Sequence, residues 1–181
     1  MYKLNKASEN LIKSFESLHD GDLSVVGLQP KLDPVGIWTE GYGRAMTDPI
    51  TKGHLQGAHN KKRAYALASI KTEAEAIKAL EKDAYFKGYL PAAGILGPSM
   101  DKLNDNQKGA LVSFVYNCGT GSPRYKIFAN IKAWQNGKMS KEALIKYWES
   151  SVIRGTINKK KVILQGLVRR RKAEAELFFK P

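Results

Sequence analysis

The chain reads as an α+β protein, with an N-terminal helix, a small antiparallel β-lobe and then a larger all-α lobe. Three observations predict this. Residues 5–18 carry apolar side chains at helical spacing. Residues from about 23 to 68 are rich in Gly, Pro and β-formers and lack a long helical period. From Thr72 onward, capping signatures open one helix after another. At 181 residues the chain suits a single domain over 1–181 and is too short for two ordinary ones.

Leu4, Leu11, Phe15 and Leu18, with Ile12 beside them, mark one face of the first helix, and Asp20-Gly21-Asp22 stops it. In the β-lobe, Ile37-Trp38-Thr39 and Tyr42 are the best strand residues, while Thr47 to Arg63 is a polar, basic excursion. Thr72-Glu73-Ala74-Glu75 is a capping box opening a helix to about Leu90, where Pro91 should break it. The helical lobe thus spans about 72–181. Asn104-Asp105-Asn106-Gln107 is a second cap, before the most apolar helix at about 105–117, with Gly119 past its end. Further helices are expected at 124–135, stopped by Gly137, at 140–150, opened by Ser140, and at 164–179. Asn158-Lys159-Lys160-Lys161 reads as a charged loop, and Trp38, Trp134 and Trp148 as core.

Hydrophobic content of 43% and charged content of 26% are those of a soluble globular protein. The net charge of +13 predicts attraction to a polyanion: nucleic acid, an anionic membrane or an anionic cell wall. Charge alone does not choose among them. The single cysteine, Cys118, excludes an internal disulfide framework and, just past an apolar run, is expected to be a buried, inert thiol. Three scattered His and no Cys/His pair at ligand spacing predict no metal, and no cofactor is expected. Met1 to Leu18 carries charges every few positions, so it reads as neither signal peptide nor anchor. No apolar run approaches the ~18 residues that a membrane span needs.

The residues that could carry chemistry are Glu16, Asp33 and Thr39. Glycoside hydrolysis needs one carboxylic acid to protonate the leaving oxygen and an ionised carboxylate to activate water or attack the sugar. Glu16 sits at the edge of an apolar face near a helix C-terminus, where the dipole disfavours negative charge, as a general acid requires. Asp33 precedes Pro34 and Gly36 at a turn entering a strand, and Thr39 projects from that strand with a hydroxyl able to hold a water beside Asp33. Taken singly, these residues also read as a solvated surface acid, a turn cap and a strand filler. Their conjunction, with Gly41-Tyr42-Gly43 beside them, points to chemistry.

Phe15-Glu16-Ser17-Leu18 followed by Asp33-Pro34-Val35-Gly36-Ile37-Trp38-Thr39-Glu40-Gly41-Tyr42-Gly43 resembles the active-site signature of phage-type lysozymes (endolysins), glycoside hydrolase family 24. Ser113-Phe114-Val115-Tyr116-Asn117-Cys118-Gly119 and Gly166-Leu167-Val168-Arg169-Arg170-Arg171-Lys172-Ala173-Glu174 resemble two further motifs, in the family's order. The resemblance implies a lysozyme-like fold with the active-site cleft between the lobes. It also implies a muramidase that hydrolyses the β-1,4 bond between N-acetylmuramic acid and N-acetylglucosamine in peptidoglycan, causing host cell lysis. Glu16 matches the general acid, Asp33 the second carboxylate and Thr39 the residue that helps place water. Asn117, Tyr42 and Gly36 are the implied substrate-binding residues. The implied partners are peptidoglycan glycan strands and the polyanionic bacterial envelope, with no specific nucleic acid and no membrane span, and a monomer is expected. Synthesis in the host cytoplasm without a signal peptide, then holin-like release to the wall or periplasm, completes the expectation.

Three departures stand out. Sixteen residues separate Glu16 from Asp33, more than the family's usual spacing, and the extra segment near His19 to Gln29 brings rival acids, Asp20 and Asp22. A loop insertion is the simplest account, since loop length costs little. Glu40 replaces a commonly apolar residue and is expected at the lobe surface or a hinge. Arg44 stands where His is frequent. Alternatives to the hydrolase are a lytic transglycosylase, a non-catalytic cationic binder acting through Lys159-Lys160-Lys161 and Arg169-Arg170-Arg171, and membrane disruption by the basic amphipathic helix Leu164 to Phe179. Of the three arginines, Arg170 or Arg171 is expected to tie the last helix to a carboxylate in the bundle.

Overall fold

A computed structural model describes residues 2–121, 126–157 and 159–181. The chain divides into two compact units: one is the segment through Phe15 together with Asp83–Pro181, the other Glu16–Lys82.

The first helix, α1 (Lys6–Glu16), is shorter than its apolar period. Ser17 adopts a φ of 53°, in the left-handed region, and so ends the helix before Asp20-Gly21-Asp22 is reached. Three short antiparallel strands follow: β1 (Lys31–Leu32), β2 (Trp38–Glu40) and β3 (Arg44–Ala45), in the order β1-β2-β3. The register sets Lys31 opposite Thr39 and Glu40 opposite Arg44. Trp38, Met46, Leu55 and Ala64 form the core of this unit, with Leu32, Tyr65 and Ala68 against it.

Thr47 to Arg63 is more ordered than its polarity implies. Asp48 Oδ1 accepts from the Ile50 and Thr51 backbone N–H groups and from Arg63 at 2.9 Å, while Leu55 N–H donates to the Met46 carbonyl at 2.9 Å. These bonds, led by the one from Ile50, hold the Asp48 carboxyl below its usual pKa. A short helix, α2 (Lys61–Leu67), closes the excursion; opening on Lys61-Lys62-Arg63, it has too few apolar positions to show a helical period.

The Thr72 cap forms as expected: Thr72 Oγ1 accepts from Glu75 N–H, and the Glu75 carboxylate accepts from the Thr72 and Lys71 N–H groups. Helix α3 (Glu73–Asp83) then runs through a π-helical stretch, Ala84–Tyr89, into α4 (Leu90–Leu96). Pro91 therefore does not break the helix. Leu90 N–H already reaches five residues back to the Tyr85 carbonyl, and Pro91 falls in the first turn of α4, where a missing N–H matters least.

Helix α5 (Asp105–Cys118) has the predicted box, Asn104 and Gln107 each accepting from the other's backbone N–H. Gly109 to Val115 are all buried, as suits a helix that is apolar on every side. Close approach to α1 requires Gly109: a Cβ there would lie 1.6 Å from Ser8 Oγ. Helices α6 (Ile127–Gln135), α7 (Lys141–Ser150) and α8 (Gln165–Phe178) complete the unit. The expected start at 124 lies outside the described residues. Between α7 and α8 the charged loop is largely a β-hairpin, β4 (Arg154–Ile157) with β5 (Lys160–Ile163), so strands are not confined to the first lobe. The β-branched pair Val162-Ile163 carried that signal, and the lysine run before it masked it.

Phe114, Trp148 and Phe178 centre the core of this unit. Trp38 and Trp148 are buried and Trp134 packs against Phe178 and Phe179, so all three tryptophans sit in the core as expected. In the same core, Glu174 Oε1 lies 3.2 Å from Arg170 Nε and Oε2 lies 2.9 Å from Arg171 Nε. Ser113 Oγ and Trp148 Nε1 also donate to this carboxylate, at 2.8 and 3.1 Å. Both candidate arginines are thus structural, and the apolar face of α8 is buried with them. Burial pushes the Glu174 carboxyl above its ordinary pKa, against the pull of the two guanidiniums. Cys118 is half-buried, accepts from Arg171 Nη1 at 2.7 Å and has its thiol pKa raised by burial.

Replacing Glu174 with Ala leaves two buried guanidiniums without their carboxylate and should cost about 3–5 kcal/mol of stability. Arg169→Ala, on the exposed side of α8, should stay within about 0.5 kcal/mol. Urea unfolding monitored by circular dichroism measures both.

Candidate active site

Glu16, Asp33 and Thr39 all belong to the Glu16–Lys82 unit. Glu16 is the last residue of α1, and the turn at Ser17 leads directly to His19, which forms an antiparallel bridge with Gly41. His19 N–H donates to the Gly41 carbonyl at 2.8 Å, and His19 Nδ1 lies 3.2 Å from the same oxygen. The bridge ties His19, three residues past the helix end, to the β2–β3 turn.

Gly43 ends that turn with a φ of 79°. A Cβ at Gly43 would meet Glu16 Oε2 at 3.4 Å and His19 Cε1 at 3.9 Å. The half-buried Glu16 carboxylate and the His19 ring therefore both flank the backbone of the Gly41-Tyr42-Gly43 turn. Sequence reasoning singled out the glycine pair but not His19. Its bridge partner lies 22 positions away, and no local pattern announces it.

Asp33 heads the β1–β2 turn at the other end of β2. Its Oδ1 accepts from Val35 N–H at 2.9 Å and Ile37 N–H at 2.8 Å, and its own N–H donates to the Ile37 carbonyl at 2.8 Å. The side chain is thus an Asx-type cap that holds its own turn, and it stays half-exposed. Gly36, inside the turn, has a φ of 84° and open space where a side chain would be. Thr39 is buried, and its hydroxyl donates to the Lys31 carbonyl across the strand pair at 3.1 Å. The proton of that hydroxyl is committed to the sheet, leaving its lone pairs as the groups able to meet a water.

The rival acids hold the inserted loop together. Asp20 Oδ1 accepts from Asp22 and Gln29 N–H groups at 3.2 and 3.3 Å, and Asp22 Oδ1 accepts from both the hydroxyl and the N–H of Ser24. The hydroxyl bond above all holds the Asp22 carboxyl below the ordinary carboxylate pKa.

Glu40 is not at the surface. It is 7% exposed, with Ser69 N–H at 2.8 Å and Ile70 N–H at 3.2 Å donating to Oε2 and Ser69 Oγ donating to Oε1 at 2.8 Å. Period-two alternation sends Glu40 away from Thr39 as expected. Both faces of β2 are nevertheless covered, and the linker between α2 and α3 lies over the Glu40 side. Tyr42 is buried too, its hydroxyl donating to Glu73 Oε1 at 2.8 Å. Asn117 lies in the other unit at the end of α5, exposed, with its Oδ1 accepting from Arg171 Nη2 at 2.8 Å.

The sequence model of the family described as phage lysozyme matches residues 23–174, a span that includes Asp33, Thr39, Asn117 and Glu174 and begins after Glu16. No curated protein matches the chain. Among solved structures, an endolysin from the Escherichia coli O157:H7 phage FAHEc1 superposes with a TM-score of 0.65 at 23% identity, covering 99% of this chain and 94% of that one. The muramidase domain of SpmX from Asticaccaulis excentricus gives 0.60 at 24% identity, with 100% of both chains covered. A mutant P22 lysozyme gives 0.60 at 17% identity, covering 99% and 100%. At these identities the structures establish a shared fold.

Glu40→Ala strips two backbone N–H groups and a hydroxyl of their acceptor and should cost about 2–3 kcal/mol, whereas Ser69→Ala, which removes one donor, should cost about 1 kcal/mol. Equilibrium urea midpoints at constant m-value test the pair.

Proposed function

Because the chain belongs to the phage lysozyme family, a family of peptidoglycan-hydrolysing lysozymes, we propose that it is a muramidase acting through Glu16, Asp33 and Thr39. The bond cut is the β-1,4 linkage from N-acetylmuramic acid to N-acetylglucosamine, and the outcome is lysis of the host cell. The observation that carries the reading is the set of ties joining the end of α1 to the small sheet. The carboxylate of Glu16 lies against the Gly43 backbone, and Asp33 and Thr39 stand on the strand pair that ends in that turn.

In the proposed reaction Glu16 enters protonated and gives its proton to the glycosidic oxygen as the bond to the sugar carbon breaks. Asp33 takes a proton from a water whose oxygen forms the new bond to that carbon. With Oδ1 gripped by two N–H groups, Oδ2 is the oxygen left to receive it. A lone pair of Thr39 Oγ1 helps orient the water. Attack from the face opposite the leaving group inverts the anomeric centre and requires the two carboxyls to stand roughly 6.5–9.5 Å apart, with room for the water. Asn117, Tyr42 and Gly36 are proposed to contact the glycan. Tyr42, with its hydroxyl bonded to Glu73, would do so through its backbone or the turn that it shapes.

The positive surface suits the polyanionic envelope. At +13 the chain gains encounter rate with wall polymers, and that gain should fall as salt rises. Among the described residues no helix is long and apolar enough to cross a membrane. Release from the cytoplasm by a holin-like device and action as a monomer complete the proposal.

Clearing of purified peptidoglycan by wild type, Glu16→Gln, Asp33→Asn and Asp22→Asn tests the reading. Loss of about 10²–10⁴-fold is expected for Glu16→Gln, a large loss for Asp33→Asn and little change for Asp22→Asn. An inactive Asp22→Asn beside an active Asp33→Asn would sink the assignment. Mass spectrometry of the products should show reducing ends; 1,6-anhydro ends would identify a lytic transglycosylase.

A further inference from the structure

The segment that lengthens the path from Glu16 to Asp33 is a built loop with a bare apolar tip. Its base is closed by Gly21 N–H donating to the Gln29 carbonyl at 2.9 Å, by the Asp20 cap, and by Leu28 N–H donating to the Lys71 carbonyl at 2.8 Å. Gln29 and Pro30 are buried, so the foot of the loop is anchored. The tip is the reverse: Leu23 is 89% exposed, Val26 100% and Val25 45%. Single exposed aliphatics need no explanation, but three within four positions, lifted on a hydrogen-bonded foot, form a feature.

Three exposed lysines stand beside that foot, against two carboxylates, Asp20 and Asp22. The Cα of Lys31 packs close to Gly21, the Lys71 Cβ approaches Gly27, and the charge of Lys61 acts on the Asp22 carboxylate. We propose that this loop is a wedge that seats the protein on an anionic lipid bilayer, with Leu23, Val25 and Val26 entering the headgroup boundary and Lys31, Lys61 and Lys71 facing lipid phosphates. Two features favour a bilayer over other occupants. The tip offers three aliphatic side chains, far short of the roughly 600–1,000 Å² per partner of a stable protein interface. Glycan or wall phosphate has no use for bare valine and leucine, whereas an acyl boundary takes isolated aliphatic side chains next to bound cations. The inference is independent of the catalytic reading, since none of these residues belongs to the proposed machinery.

The full chain is tested by co-sedimentation with phosphatidylcholine vesicles, with and without phosphatidylglycerol. Wild type should bind the anionic vesicles. Leu23→Ser combined with Val26→Ser should weaken that binding at least about tenfold, and Lys61→Gln with Lys71→Gln about fivefold per lysine. Clearing of purified peptidoglycan should be unchanged in both variants. Adding anionic vesicles should shift the emission of a Val26→Trp variant to the blue, beyond any change shown by wild type with its three core tryptophans. Failure of wild type to bind, equal binding by the double serine variant, or no emission shift from Val26→Trp would overturn the proposal. So would a dimer in sedimentation velocity that the serine variant abolishes, since a second copy would then be the occupant.

Discussion

The carboxylate of Glu174 is the point on which the helical unit depends. It draws together α5, α7 and α8, whose residues at the contact lie up to 61 positions apart. An isolated buried carboxylate would cost far more than a domain's net stability, so it persists only because two guanidiniums, a hydroxyl and an indole converge on it. Each arginine then has a second tie. Arg170 reaches the Ser113 carbonyl and lies over the Phe15 ring, while Arg171 lies over Phe114 and holds Asn117 and Cys118. The orientation of the α5 C-terminus, Asn117 included, thus follows from the packing of the core, although Asn117 itself is exposed.

The other unit meets the opposite difficulty. Its strands are two or three residues long, too short for ladder hydrogen bonds to hold a sheet by themselves. Side chains supply what the ladder lacks. Asp33 caps the first turn, Glu40 secures the linker after α2, Asp48 gathers a loop and Arg63, and the Trp38 indole donates to the Gly57 carbonyl. Buried or half-buried acids are therefore common here for architectural reasons, and an acid's presence alone says little about catalysis.

Much of the fold was legible because it is written in short-range chemistry. The caps at Thr72, Asn104 and Ser140 depend on residues three apart, and the apolar run of α5 on composition, so each could be read directly. What was hidden depends on distant partners. The π-helical stretch before Pro91 answers to tertiary packing, and the β4–β5 hairpin is disguised by its lysines. Glu40 was expected at the lobe surface or a hinge because nothing in its neighbourhood shows that Ser69 and Ile70 will come to meet it. At the candidate site, the motif named Glu16, Asp33 and Thr39, but the His19–Gly41 bridge that joins the helix end to the sheet emerges only in three dimensions.

The turn at Asp33 has one more consequence. A carboxylate is symmetric, its two oxygens exchanging places whenever the side chain rotates. Here two backbone N–H groups grip one oxygen and favour one orientation, which gives the group an inner end and an outer end. As the base of the proposed reaction, the group would have a direction. In the proposed reaction the proton would arrive at and depart from the same atom, along the same line, in every cycle. Folding would then complete the search for that alignment once, and no later turnover would have to repeat it.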